Sequence, residues 1–235
     1  MQLFYNSNIT SDKKQFTFDK IESRHIVRVL RKKEGDTLHI TNGYGFLFTA
    51  KVDIANEKKC VVTITAAEQK LKPWSYKLHI AIAPTKNNDR FEWFLEKATE
   101  IGIDEITPII CDHSERKILK IERMQKIIES AGKQSLKYHF PILHPAVSFK
   151  NFINKENSDH LFIAHCEHQN KKSLHSQLNK TLDITILIGP EGDFSLKEIE
   201  IALNQGYTQI HLGESRLRTE TAGIVAVHTV ALNNA

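Results

Sequence analysis

The sequence predicts an α/β protein in two parts: a small β-rich module over residues 1–70 and a larger α/β domain over residues 71–235 with a mostly parallel sheet. Three observations carry this. Between residues 15 and 66, short segments largely alternate apolar and polar side chains, as strands with one wet face do. From Tyr76 onward, apolar strand-like runs alternate with amphipathic helical segments, the rhythm of a parallel sheet covered on both faces. Between the two lies Lys70-Leu71-Lys72-Pro73, where proline ends the first pattern.

In the first module the expected strands are 15–18, 37–41, 46–54 and 61–66, with turns at Asn42-Gly43 and at Asn56-Glu57-Lys58-Lys59. A helix over 21–30 interrupts them, with Ile26, Val29 and Leu30 on one face. The result is a small antiparallel barrel or curled sheet with a helix at its side. In the second part the expected order is strand 77–83, helix 89–101, strand 105–110, helix 121–136, helical turn 149–153 and strand 161–164. Phe91, Phe94, Leu95, Ala98 and Ile101 face inward on the first of these helices, and Gly102 stops it. Residues 184–188 are nearly all apolar, as a strand covered on both faces should be. Gly189, Pro190 and Gly192 halt it, and Ser195 with Glu198 three residues on opens a helix as a capping box. Strand 207–212 follows. Gly213 breaks it, and Leu217-Arg218-Thr219-Glu220-Thr221 leads into an apolar helix over 222–232.

Composition bounds the function. A chain of 235 residues with 40% hydrophobic and 26% charged side chains can bury a real core. No apolar run approaches the roughly 20 residues that cross a bilayer, so no membrane span is expected. Met1-Gln2-Leu3-Phe4-Tyr5-Asn6 lacks the basic-then-apolar layout of a signal peptide. Cys60, Cys111 and Cys166 are odd in number and far apart, which favours reduced thiols in the cytoplasm. The net charge of +4 lies wholly in residues 1–70, which carry 12 Lys/Arg against 8 Asp/Glu. Arg24, His25, Arg28, Arg31, Lys32 and Lys33 gather on the predicted helix and its C-terminal end, more cations than a helix end requires. They suit a surface that tracks the phosphates of RNA.

Several chemistries are absent. There is no dinucleotide fingerprint, no phosphate-binding P-loop and no nucleophile elbow. His165-Cys166-Glu167-His168, with His160 nearby, has metal-ligand residue types. Consecutive residues at a strand end point to opposite faces, however, so no metal is expected there. His113-Ser114-Glu115-Arg116 follows a strand, where a substrate-facing loop would lie. Gly189-Pro190-Glu191-Gly192 lets backbone approach a ligand closely, and no lysine stands beside it to meet a triphosphate. The ligand it suits is nucleoside-like, without a phosphate chain.

The run Ile188-Gly189-Pro190-Glu191-Gly192-Asp193-Phe194-Ser195, with Leu212-Gly213 and Leu217-Arg218-Thr219-Glu220-Thr221-Ala222, resembles the signature of the RsmE-type 16S rRNA uracil-N3 methyltransferases of the SPOUT superfamily. His25-Ile26-Val27-Arg28-Val29-Leu30-Arg31 is similar to the family's N-terminal PUA-like element. Lys97-Ala98-Thr99-Glu100-Ile101-Gly102 and Ala131-Gly132-Lys133-Gln134-Ser135 resemble two further stretches. The chain departs from the family at Asp193, where a second glycine is frequent, and at Ser215-Arg216-Leu217-Arg218, where Arg-Ile-Leu-Arg is common. It departs also at Lys133, where glutamate is usual.

The resemblance implies a PUA-like RNA-binding β-barrel at residues 1–70 and a SPOUT domain with a deep trefoil knot at residues 71–235. It implies a homodimer acting on 16S rRNA or the small ribosomal subunit. It also implies S-adenosylmethionine cradled by loops 164–167, 188–192 and 212–218. The residues expected to hold it are Ala164, His165, Ile188, Gly189, Pro190, Glu191, Gly192, Leu212, Gly213, Leu217, Arg218, Thr219 and Thr221. Uracil N3 is a weak nucleophile until its proton is lost, so the site must remove that proton or stabilise the anion. Arg218 is the expected stabiliser of the developing charge. Glu191 and Glu220 are the expected proton acceptors or orienting groups, and helix N-terminal placement is the competing account of Glu220. Other activities of the same fold remain open alternatives: methylation of another base or of a ribose 2′-hydroxyl, and RNA binding without catalysis.

Overall fold

A computed structural model of the chain describes residues 1–155, 158–167, 171–178 and 183–234. The chain divides into two compact units, Met1–Lys72 with Gly132–Phe140, and Pro73–Ala131 with Pro141–Ala235.

In the first unit the expected strands form β2 (Gln15–Thr17), β3 (Thr37–Thr41), β4 (Phe46–Ile54) and β5 (Val61–Gln69), and β1 (Leu3–Tyr5) joins them. The sheet order is β1-β3-β4-β5-β2. Adjacent strands are antiparallel except β1 and β3, which run parallel, so the sheet is mixed rather than purely antiparallel. Its inner face buries Phe4, Leu38, Ile40, Phe48, Val52 and Val62 together with Ile26. The expected helix over 21–30 is two structures: α1 (Lys20–Arg24) and a π-helical turn, His25–Val29, closed by Leu30 N–H to His25 O at 2.9 Å. Asp19 caps α1, and buried Ser23 ties it to the sheet by accepting the Cys60 N–H at 2.8 Å. The wider turn ends the regular three-and-four spacing at Arg24, so the single basic helix face expected from that spacing stops there.

The segment Gly132–Phe140 completes this unit. Phe140 stacks on Tyr5 with ring centroids 4.8 Å apart. Gly45 N–H donates to Tyr138 O at 2.8 Å, and Phe140 N–H to Gly43 O at 2.9 Å. A boundary drawn at residue 70 from composition leaves this segment out, because its attachment is made across a long stretch of sequence.

The second unit contains β6 (Lys77–Ile82), α2 (Asn88–Ile101), β7 (Glu105–Ile110), α3 (Ile121–Gln134), β8 (Ile142–Leu143), β9 (Val147–Ser148), α4 (Phe149–Ile153), β10 (His160–Ala164), β11 (Lys172–Ser173), α5 (Leu174–Gln177), β12 (Asp183–Ile188), α6 (Leu196–Asn204), β13 (Thr208–His211) and α7 (Thr219–Asn233). The last turn of α3 belongs to the first unit's segment. The sheet runs β11-β13-β10-β12-β6-β7-β8, with β9 on β7, and all of these pairings are parallel. The apolar run of β12 lies between β10 and β6, and Ile184, Ile186, Leu187 and Ile188 are buried there, as a strand covered on both faces requires. β8 and β9 pair with the two ends of β7, leaving Thr107 and Pro108 between them. Proline has no N–H to give a further ladder there.

The helix expected over 222–232 begins earlier, at Thr219, so Thr219, Glu220 and Thr221 form its first turn. Its Gly223 sits where a Cβ would meet the Phe94 ring at 2.6 Å and Ile82 at 3.0 Å, which lets α7 pack closely on α2 and β6. Among the described residues, no helix is long and apolar enough to cross a membrane.

Candidate functional site

Parallel register brings four loops to one end of the sheet. Ala164 pairs with both Ile188 and Ile210, and Ile188 pairs with Ile82. The segments after β6, β10, β12 and β13 therefore leave the same carboxyl edge, where ligands bind in open parallel sheets. Three of them are the loops expected from sequence.

The turn after β12 is the hub. Asp193 N–H donates to Pro190 O at 2.9 Å, and Asp193 takes a left-handed conformation with φ of 64°. Its carboxylate reaches the loop after β10, accepting the Cys166 N–H at 2.7 Å, and also accepts the Phe194 N–H at 2.8 Å. Glu191 Oε1 accepts the Lys86 N–H at 2.9 Å and so holds the loop after β6. His113 Nδ1–H donates to Gly192 O and Asp193 O, each at 3.0 Å. Both glycines are closely approached. A Cβ on Gly189 would lie 3.1 Å from the Phe194 ring, and one on Gly192 would lie 3.1 Å from His113 Cβ. Arg116 braces the loop after β6 by donating to Lys86 O at 2.6 Å.

Buried Thr219 joins α7 to the hub by donating from Oγ1 to Gly189 O at 3.0 Å. Thr219→Val keeps the shape and removes that donor. We expect a loss of about 1 kcal/mol, read as a fall of roughly 2–4 °C in the thermal midpoint. An unchanged midpoint would show that the contact contributes nothing.

The remaining expected residues fall as follows. His165 is buried, its Nε2 lies 3.3 Å from Gln209 Oε1, and its Nδ1 has no partner among the described residues. Burial and the nearby Lys171 ammonium both push its pKa down, so the ring is neutral. Lys171 donates to the His165 carbonyl. His168, the other half of the histidine cluster, lies outside the described residues. Gly213 has φ of 134°, and a Cβ there would meet nothing within 4 Å, so glycine is required by backbone rather than by crowding. Leu212, Leu217 and Thr221 are half-buried.

The two glutamates separate. Glu191 is engaged in holding Lys86. Glu220 is buried in the first turn of α7, with Oε1 3.7 Å from Arg90 Nε and Oε2 without a partner among the described residues. Arg218 heads α7 with extended backbone, exposed, and makes no side-chain cap. It lines an open groove with Asp89, Arg90, Trp93, Leu217 and Glu220. Sequence reasoning missed Asp193 as a link to Cys166, Lys86 as the partner of Glu191 on the loop after β6, and Arg90 beside Glu220. The left-handed turn that aspartate tolerates was a usable signal for the first; the other two have none in sequence.

In the first unit, Arg24, Arg28 and Arg31 are exposed and carry no ion pair among the described residues. His25 is half-buried, 3.5 Å from Glu22. Lys32 is half-buried and its N–H donates to Ile26 O at 3.1 Å.

Comparison with known proteins agrees with this layout. Residues 72–231 match the model of an RNA methyltransferase domain, and residues 9–65 that of an RNA methyltransferase PUA domain. A ribosomal RNA small subunit methyltransferase E from Buchnera aphidicola is 32% identical, over 92% of this chain and 87% of its own. A probable rRNA-methyltransferase from Porphyromonas gingivalis superposes with a TM-score of 0.92 at 41% identity, covering 100% of this chain and 98% of that one. A Legionella pneumophila structure in complex with bound cofactor SAM superposes with a TM-score of 0.87 at 27% identity, covering 98% and 96%.

Proposed function

This chain belongs to the ribosomal RNA small subunit methyltransferase E family, and on that premise we propose that its stitched loops hold the methyl donor while Arg218 and Glu220 act on a uridine of 16S rRNA. The protein is an S-adenosylmethionine-dependent rRNA methyltransferase. The accepting atom in this reading is uridine N3.

The residues present fit the donor. A buried, neutral imidazole with one nitrogen that has no partner among the described residues offers an acceptor. Ile188, Leu212 and Leu217 offer apolar surface, and Gly189, Gly192 and Gly213 let backbone come close. When bound, S-adenosylmethionine supplies an electrophilic methyl for in-line displacement, a reaction in which positioning provides much of the acceleration. Ala164, His165, Ile188, Gly189, Pro190 and Gly192 would hold it from the first two loops, and Leu212, Gly213, Leu217, Thr219 and Thr221 from the third. Arg218 faces the charge that builds on the base as N3 loses its proton. Glu220, buried with one oxygen that has no partner among the described residues, is the proton acceptor of this reading. Glu191 orients the pocket through Lys86. Arg24, Arg28 and Arg31, with His25 and Lys32, track the RNA backbone.

A deep knot, a homodimer and a cytoplasmic setting belong to the same reading. The knot finds support in the return of the chain: β13 lies beyond β10, yet α7, which follows it, packs on α2, β6 and β12. Exposed apolar side chains of Trp93 on α2 and Leu232 on α7 suit a second copy.

The carrying observation is the convergence of the loops after β10, β12 and β13, with Arg218 and Glu220 at its margin. Purified protein incubated with S-adenosylmethionine and unmodified 16S rRNA is expected to yield 3-methyluridine at a single site on nucleoside mass mapping. Methyl groups on a ribose or another base would reject the N3 assignment. Asp193→Gly is expected to keep the left-handed turn and lose the tie to Cys166. Two hydrogen bonds to the carboxylate are lost. Glycine's ease in the left-handed turn offsets part of that loss, so the thermal midpoint should fall by only a few degrees, and S-adenosylmethionine should bind about tenfold more weakly. Unaltered affinity by calorimetry would exclude Asp193 from holding the pocket.

A further inference from the structure

A second convergence of ligating side chains lies at the other end of the sheet. His79, Glu105 and His144 bring ligand atoms within 4.8 Å of one another. His79 stands on β6, Glu105 opens β7 opposite it in register, and His144 follows β8, whose Ile142 pairs with Glu105. His79 and Glu105 lie toward the amino ends of β6 and β7, and His144, whose N–H donates to Ile106 O at 2.9 Å, stands beside them, away from the loops of the methyl-donor site.

The geometry suits one ion. The imidazole centroids are 5.5 Å apart and the rings are tilted by 46°. His144 Nε2 is 2.7 Å from Glu105 Oε2. Ligands of a tetrahedral ion with bonds of about 2.1 Å stand roughly 3.4 Å apart, so modest side-chain movement closes the shell. His79 Nε2 lies 2.7 Å from Thr107 Oγ1, a hydroxyl that can turn to other partners. A glutamate is a carboxylate at neutral pH and so able to ligate. Lys77 Nζ lies 3.3 Å from Glu105 Oε1, an arrangement that opposes a cation. It also lies 3.3 Å from Asp183 Oδ2, so an ion that takes Glu105 leaves the ammonium paired.

We propose that His79, Glu105 and His144 bind one divalent transition-metal ion of the zinc class, with water completing the shell on the half-exposed His144 side. Two imidazoles with one carboxylate favour zinc, cobalt or nickel over magnesium or calcium, which prefer oxygen ligands. Bound there, the ion cross-links β6, β7 and the segment after β8, a structural tie separate from methyl transfer.

Titration of the full-length, metal-stripped protein with cobalt(II) tests this. One equivalent per chain should give visible d–d bands without a thiolate charge-transfer band, and zinc should displace it and raise the thermal midpoint. His144→Ala and Glu105→Gln should each weaken binding by at least about tenfold, the lower end of what loss of even an outer-shell partner costs. Circular dichroism confirms that each variant is folded. Binding that survives both substitutions, a near-ultraviolet thiolate band indicating Cys166, or no saturable uptake would overturn the proposal.

Discussion

Arg218→Ala is expected to lower rRNA methylation about 10²–10³-fold, the effect of deleting one preorganised charge-stabilising donor. S-adenosylmethionine should still bind. Arg218 is exposed at the head of α7 and makes no side-chain cap, so its removal takes no support from the fold. Its guanidinium is available for the negative charge that spreads over uracil as the N3 proton leaves. Calorimetry with S-adenosylmethionine and methyl incorporation into 16S rRNA read the two effects separately. Wild-type turnover in the variant would end the assignment. A lost heat of binding with lost turnover would place Arg218 in the donor pocket instead.

Glu198→Ala is expected to destabilise the protein by about 2–4 kcal/mol, because it removes the charged acceptor of two part-buried backbone N–H groups. Glu198 is buried; Oε1 accepts the Asp112 N–H at 3.0 Å, and Oε2 accepts the Ser195 N–H at 2.9 Å. Ser195 Oγ in turn donates to Asp112 Oδ2 at 2.7 Å. A capping box read as local helix chemistry thus also fastens the segment after β7 to the start of α6. The thermal midpoint should fall by roughly 5–15 °C. Glu198→Gln, which keeps one acceptor oxygen, should fall less. Equal midpoints for wild type and Glu198→Ala would show that the segment after β7 is held by other contacts.

The strands read from alternation or apolar runs fall close to their predicted ranges, because their signal is periodic and local. β3, β4 and β7 match the expected ranges, and the capping box at Ser195 and Glu198 is present. The short elements β8, β9 and β11 carry two residues each, too few for any period to register. β1 exists because β3 lies beside it, a pairing across more than thirty residues that no local pattern encodes. The π-turn at His25–Val29 replaces a predicted regular helix, and the first turn of α7 recruits residues that had read as a loop.

The sequence by itself determined the α/β class, the glycine-rich turn after a buried strand, the absence of phosphate-binding motifs and the family, since each rests on residue type and short spacing. Tertiary structure decided what those residues do. Asp193, a departure from the family pattern, became the link to Cys166 because its left-handed backbone aims the carboxylate there. Glu191 turned to Lys86, and Glu220 was buried with one oxygen that has no partner among the described residues. His79, Glu105 and His144, far apart in the chain, met only through parallel register. Hydrogen bonds, burial and ligand geometry act over a few ångströms in space, and distances along the chain do not specify them until the fold has formed.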